Sequence, residues 1–228
     1  MSKRALIIGA NGLVGSECLN QLLNDPRYSE VTILTRKYVA LEHPKLVKHI
    51  IEFNNLHQSW DLFRGDEMYY AVGTTKSKAG SKANFRKIDL DYALNIAKIA
   101  QHNKVKQMIL VSAMGADETS FFFYNRIKGL LEEELKTVGF QSLIFIRPAL
   151  LLGAREENRF GESLAQAFFR VFNIIMIGPL RRLKAIKAKD VAQCMIHVAN
   201  LDLENIHVFL NDDLHDIIDQ YKTNSSPN

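Results

Sequence analysis

The stretch Arg4-Ala-Leu-Ile-Ile-Gly9-Ala-Asn-Gly12-Leu-Val-Gly15 limits the fold more than any other part of the chain. A short apolar run meets three glycines at three-residue spacing, and Val14, Cys18, Leu19 and Leu22 follow at the spacing of one helix face. That order reads as a buried parallel strand, a tight turn and a helix whose N-terminus looks into the turn. Free backbone N–H groups and the positive end of the helix dipole converge there, which suits a pyrophosphate. In such a turn Gly9 allows the sharp bend, Gly12 the approach of backbone to phosphate, and Gly15 the close packing of the helix. Gly9, Asn11, Gly12, Leu13, Val14 and Gly15 are the cofactor contacts expected at this end.

The rest of the chain repeats the alternation of strand and helix. After the break at Asp25-Pro26, Val31 to Thr35 reads as a second strand, with Arg36 and Lys37 just beyond it and no acid until Glu42. In a dinucleotide fold an acid at that point selects NAD, whereas an arginine accommodates the 2′-phosphate of NADP. NADP(H) is therefore expected over NAD(H), with Arg36 and Lys37 as its ligands; a solvated loop charge is the alternative. Leu46 to Phe53 reads as a third strand whose end brings Phe53 near the adenine. Met68 to Val72 reads as a fourth, stopped by Gly73-Thr74-Thr75, where backbone can approach the sugar-phosphate. Lys76 to Lys82 is loop-like, and Phe85, Ile88, Tyr92, Ile96 and Ile99 then form one buried stripe of a long helix.

Gln107 to Ala113 is almost wholly apolar up to Ser112, as a central parallel strand covered on both faces should be. A helix from about Phe121 to Thr137 is closed by Gly139, and a sixth strand, Ser142 to Arg147, ends at Pro148. Asp190 to Ala199 reads as a helix, Ile206 to Leu210 as a last strand, and Asn211 to Gln220 as a terminal helix capped by Asn211. The expected class is α/β, a doubly wound parallel sheet (Rossmann-like) in a single domain over 1–228. It carries a small C-terminal lid or substrate segment at about 154–184 and a frayed tail at 221–228.

Charge and composition narrow the function classes. The net charge of +4 is spread along the chain without a basic block, so an anionic cofactor is expected and nucleic acid is not. No apolar run approaches the ~20 residues of a membrane span. Cys18 and Cys194 both fall in helical patterns and read as buried thiols, and the seven histidines show no ligand spacing, so no metal is expected. A cytoplasmic protein is the expectation.

Tyr124 and Lys128 are four apart on one predicted helix face, and Ser112 stands at the carboxyl end of the preceding strand, where open parallel sheets bind ligands. These types suit hydride transfer to a carbonyl. A phenol with an ordinary pKa of about 10 is a poor proton donor at neutral pH unless a neighbouring ammonium favours its anion. The serine hydroxyl would hold the substrate oxygen where charge changes in the transition state. Taken alone, Ser112 could equally finish a strand, and Tyr124 could be a further member of the cluster Phe121-Phe122-Phe123.

With Gly9-Ala-Asn-Gly12-Leu-Val-Gly15, Tyr124-Asn-Arg-Ile-Lys128, Arg147-Pro148 and Lys189-Asp190-Val191-Ala192 in this order, the chain resembles the atypical and extended branch of the short-chain dehydrogenase/reductases. Gly73-Thr-Thr-Lys-Ser-Lys-Ala-Gly80, Ser112-Ala-Met-Gly-Ala-Asp117 and Lys128-Gly-Leu-Leu-Glu132 resemble, within it, the Tat-interacting-protein-like oxidoreductases. The resemblance implies an NADPH-binding fold, with Ser112, Tyr124 and Lys128 as catalytic residues and Tyr124, Lys128, Arg147 and Pro148 beside the nicotinamide and its ribose. It also implies a small-molecule substrate such as a carbonyl compound, or else a regulatory role through a protein partner; pairing of two copies through the tyrosine helix is a further option. The stretch after Pro148 is short for a sugar-nucleotide domain, so epimerase or dehydratase chemistry is not expected.

Overall fold

The computed structural model describes residues 2–152 and 182–224. Seven parallel strands form one sheet in the order β3-β2-β1-β4-β5-β6-β9, from β1 (Lys3–Ile8), β2 (Tyr28–Thr35), β3 (Leu46–Ile50), β4 (Glu67–Tyr70), β5 (Gln107–Val111), β6 (Ser142–Arg147) and β9 (Asn205–Leu210). A parallel pair, β7 (Leu151–Leu152) and β8 (Ile186–Lys187), lies apart from it. The chain winds outward from β1 to β3, crosses back to β4, and continues the other way. That reversal opens a crevice above the carboxyl ends of β1 and β4.

Both faces of the sheet are buried, which is why its strands are apolar without alternation. In β1, Ala5 and Ile7 join a core with Val14, Cys18, Leu19 and Leu22 of α1 (Leu13–Asn24). To the same core belong Val191, Cys194 and Met195 of α6 (Ala188–Val198) and Leu214 and Ile218 of α7 (Asn211–Asn224). Leu6 and Ile8 point the other way, to a core with Ile96 and Ala97 of α4 (Tyr92–His102) and Ile127, Leu131 and Leu135 of α5 (Phe123–Lys136). Complete burial of a Leu or Ile side chain contributes about 1.5–3 kcal/mol, so this two-sided core carries the fold. Both thiols are buried: burial, then Glu67, pushes Cys18 far up, and burial, then Asp190, pushes Cys194 up to about 12.

Four expectations change. Residues 76–82 are not a plain loop: α2 (Lys76–Ala79) makes one turn, Gly80 follows at φ +73°, and Ser81 caps α3 (Lys82–Arg86) by accepting from the Asn84 N–H at 3.1 Å. The long helix is interrupted by a π turn at Lys87–Asp91. Its extra residue rotates the phase, so the buried stripe runs Phe85, Asp89, Leu90, Ala93, Ile96, Ala97 and Ala100, with Ile88, Tyr92 and Ile99 only partly covered. Asn211 is not a cap: its side chain accepts from Ala149 N–H at 3.0 Å and donates to the carbonyls of Arg182 and Lys184 at 3.1 and 2.8 Å. Asp213 does the capping instead, accepting from Leu210 N–H at 2.7 Å. The tail from 221 is helical through Asn224, because the Tyr221 hydroxyl reaches His197 Nδ1 at 3.0 Å and the two rings meet edge to face. Most of the expected lid at 154–184, and the last residues of the tail, lie outside the described residues. No helix among the described residues is long and apolar enough to cross a membrane.

Candidate active site

The glycine turn leads from β1 into α1. Gly9 stands at φ +95° and its carbonyl accepts from Gly12 N–H at 2.8 Å. Gly12 occupies the cap position of α1 without any side-chain cap, and the first helical turn holds no acid. The N–H groups there are left for a ligand, and no fixed negative charge competes with an anion. A Cβ on Gly15 would lie 2.0 Å from the Gly9 carbonyl oxygen, so helix and turn fit together only if that position has no side chain. Gly15→Ala should therefore displace the turn, lower stability by about 1–3 kcal/mol as overpacking does, and weaken NADPH binding. A thermal melt and a cofactor titration on the one variant check both effects.

Along the crevice, β2 ends at Thr35, and Arg36 and Lys37 are exposed beyond it. The Arg36 guanidinium stands 5.8 Å from the centre of the Phe53 ring, which meets Tyr92 edge to face at 5.7 Å. Tyr92 donates to the side chain of Asn54, fixing this corner of an open cleft of about 660 Å³ lined by Phe53, Asn84, Arg86 and Tyr92, among others. Arg36 and Phe53, separated by seventeen positions along the chain, are thus brought together at one corner. Past the end of β4, Gly73 and Thr74 face the middle of the π turn, where Asp89 accepts from Thr74 N–H at 2.9 Å.

Asp89 also holds Lys128. The Lys128 ammonium lies 2.8 Å from Asp89 Oδ1, with both side chains almost wholly buried. Burial draws the Lys128 pKa down, but Asp89, then Tyr124, outweigh it and hold it above its ordinary value, so Lys128 is charged throughout the physiological range. Tyr124, one turn earlier on α5, is 43% exposed and packs edge to face on Phe85 at 5.8 Å. A half-exposed phenol one helical turn from a buried ammonium is an arrangement that can give a proton to a ligand.

Ser112 is placed differently. It is buried just past β5, its N–H donates to Ile146 at 2.8 Å, and its hydroxyl donates to Glu132 on α5. Glu132 is in turn gripped by Arg147 at the end of β6, at 2.6 and 3.0 Å. Those hydrogen bonds, set against partial burial, raise the Arg147 pKa further. The hydrogen of Ser112 is therefore engaged with Glu132, and Tyr124 is the more open of the two hydroxyl side chains. Pro148 is buried beside it, and its carbonyl accepts from Met114 N–H at 3.0 Å.

Asp89 and Glu132, the buried partners of Lys128 and of Ser112 and Arg147, are the site carboxylates that motif spacing overlooked. The signal was present, since each is a carboxylate on a buried stripe, four residues after Phe85 and Lys128 respectively. Among the described residues no group of three His, Cys, Asp or Glu is placed to hold a metal ion.

A family model described as NAD(P)H-binding matches residues 9–160, from the glycine turn to just beyond β7. The chain belongs to the NAD(P)H-binding family. It is 33% identical to Protein HTATIP2 of Rattus norvegicus over 172 residues, 74% of this chain and 71% of that one. It is 34% identical to Protein FMP52, mitochondrial, of Candida albicans over 199 residues, 85% and 86% of the two chains. The expected resemblance to the Tat-interacting-protein-like family is thereby borne out. The solved UDP-glucose 4-epimerase with UDP-glucose from Thermotoga maritima superposes with a TM-score of 0.68 at 15% identity, over 98% of this chain and 84% of that chain. At that identity the likeness establishes the Rossmann-like fold alone. The NAD(P)H-binding frame fits the uncapped α1 terminus.

Proposed function

We infer that the chain is an NADP-dependent reductase of a small carbonyl compound, with Tyr124 as proton donor. The observation that carries this reading is the half-open Tyr124 phenol standing one helical turn from the charged, buried Lys128 at the carboxyl end of β5. When bound, NADPH supplies a hydride to the carbonyl carbon. The α1 turn would hold its diphosphate, Arg36 and Lys37 the 2′-phosphate, Phe53 the adenine, Gly73 and Thr74 the sugar-phosphate, and Arg147-Pro148 would flank the nicotinamide end. Tyr124 binds the substrate oxygen and gives it a proton, while Lys128 sets a positive charge where the phenolate develops. Lys128 has three donors, so one can stay on Asp89 while another meets a ribose hydroxyl. Ser112 joins the substrate oxygen only by exchanging Glu132 for it. A panel of aldehydes, ketones and quinones, followed by loss of NADPH absorbance, tests the reading: oxidation with at least one class supports it.

A second reading, an NADPH-binding regulatory protein without turnover, draws on a different observation. Ser112 and Lys128 are both already satisfied inside the protein, by Glu132 and Asp89. Tight NADPH binding with no oxidation across the panel would favour it.

The choice of NADP over NAD rests on Arg36. Arg36→Ala should weaken NADPH by about 1.5–3 kcal/mol, the span of a charged hydrogen bond, and leave NADH almost untouched. Equal losses in paired titrations would remove the assignment. The reading carries a cytoplasmic protein; fractionation that finds it in mitochondria, the compartment in the name of the Candida albicans relative, would change that.

A further inference from the structure

The carboxyl rim of the sheet around Tyr124 carries exposed apolar side chains beside the exposed charges of Asp117, Glu118 and Arg182. Among the described residues Met114, Phe121, Phe122, Tyr124, Leu150 and Leu183 are all more than a third exposed there, with Phe121 at 93% and Phe122 at 71%. They come from three segments joined at one rim: Met114 N–H donates to Pro148 at 3.0 Å, and Ile186 N–H to Leu150 at 2.9 Å. Phe121 and Phe122 stack edge to face at 6.1 Å immediately before the turn of α5 that carries Tyr124. Two cations set into this rim, Lys128 and Arg147, are each neutralised by a buried carboxylate, Asp89 and Glu132. Lys82 and Arg126 stand over the Phe123 ring, at 5.5 and 6.0 Å, and Arg126 donates to the Ser120 carbonyl.

We propose that this rim selects an apolar carbonyl substrate, a medium- or long-chain alkyl or aryl aldehyde or ketone, over an anionic one. The inference rests on the reductase reading for its chemistry, because the apolar set includes the very phenol that would protonate the substrate. A water-exposed aromatic pair gains by covering alkyl or aryl surface, and a cation already paired with a buried carboxylate gains little from an anion. An alkyl chain laid over Phe121 and Phe122 would leave its carbonyl at Tyr124.

The test uses the full chain with NADPH and a series of straight-chain aldehydes from propanal to decanal. kcat/KM is expected to rise roughly two- to fourfold per added methylene until the rim is covered. Phe121→Ser and Phe122→Ser should flatten that rise. Non-reducible straight-chain carboxamides, followed by NMR on the NADPH-loaded protein, should bind more tightly with length whether or not any aldehyde turns over. Carboxamide affinity independent of length, or a preference for 2-oxo acids over neutral aldehydes, overturns the proposal. If carboxamides rank by length but no aldehyde is consumed, the apolar rim stands and the reductase reading falls. If aldehydes are reduced without regard to length, the reverse holds.

Discussion

Tyr124→Phe is expected to lower kcat about a hundred- to ten-thousandfold, the range spanned by one positioned general acid. The affinity for NADPH should be nearly unchanged. The hydroxyl is the one group removed: the ring keeps its edge-to-face contact with Phe85, and Lys128 keeps its ion pair with Asp89. Fold and cofactor site are therefore left in place, and the loss belongs to the proton. Steady-state rates paired with a cofactor titration separate the two quantities. A variant that turns over at the wild-type rate would move the acid elsewhere.

Glu132→Ala should lower stability by about 3 kcal/mol. Glu132 is the shared acceptor of Ser112 and Arg147, and its side chain is 1% exposed. Removing one partner of a buried ion pair costs about 3–5 kcal/mol, because the other charge is left without compensation. The lower end applies, since Arg147 keeps 24% of its side-chain surface in water. For a chain of this size the loss corresponds to a fall in Tm of roughly 6–12 °C. Glu132→Gln, which retains an acceptor and drops only the charge, should fall between the two. A melt of Glu132→Ala within a degree of wild type would show that Ser112 and Arg147 find other partners.

The frame was legible because it is local and repetitive. Strand β6 runs from Ser142 to Arg147 as its apolar run between Gly139 and Pro148 foretold, and the glycine turn with α1 falls where spacing put it. Strand ends were less legible, because a strand stops where its neighbour stops. β3 ends at Ile50, not Phe53, since β2 is finished at Thr35, whose carbonyl accepts the last ladder bond from Ile51. β5 ends at Val111 although Ser112 still donates to Ile146, so its apolar run overshoots the pairing by two residues. The π turn at Lys87–Asp91 was invisible to a reading that assumed 3.6 residues per turn, and it is what swings Asp89 inward to Lys128.

The site was legible as an order of motifs and not as a set of bonds. Tyr124 and Lys128 share a helix face as their spacing required, and Arg36 meets Phe53 across the crevice. The partner of Ser112 lay twenty residues downstream, on a different element, and no local pattern connects the two. Buried carboxylates on apolar stripes mark such partners, because an acid is retained there only when something answers its charge.

Titration of the folded protein with NADPH by calorimetry tests the central claim most directly. The uncapped turn between β1 and α1, with Arg36 beyond β2, predicts saturable one-site binding with a Kd below about 1 mM, or a free energy beyond about −4 kcal/mol. No saturation at that concentration, in a protein whose melt shows it folded, would contradict it.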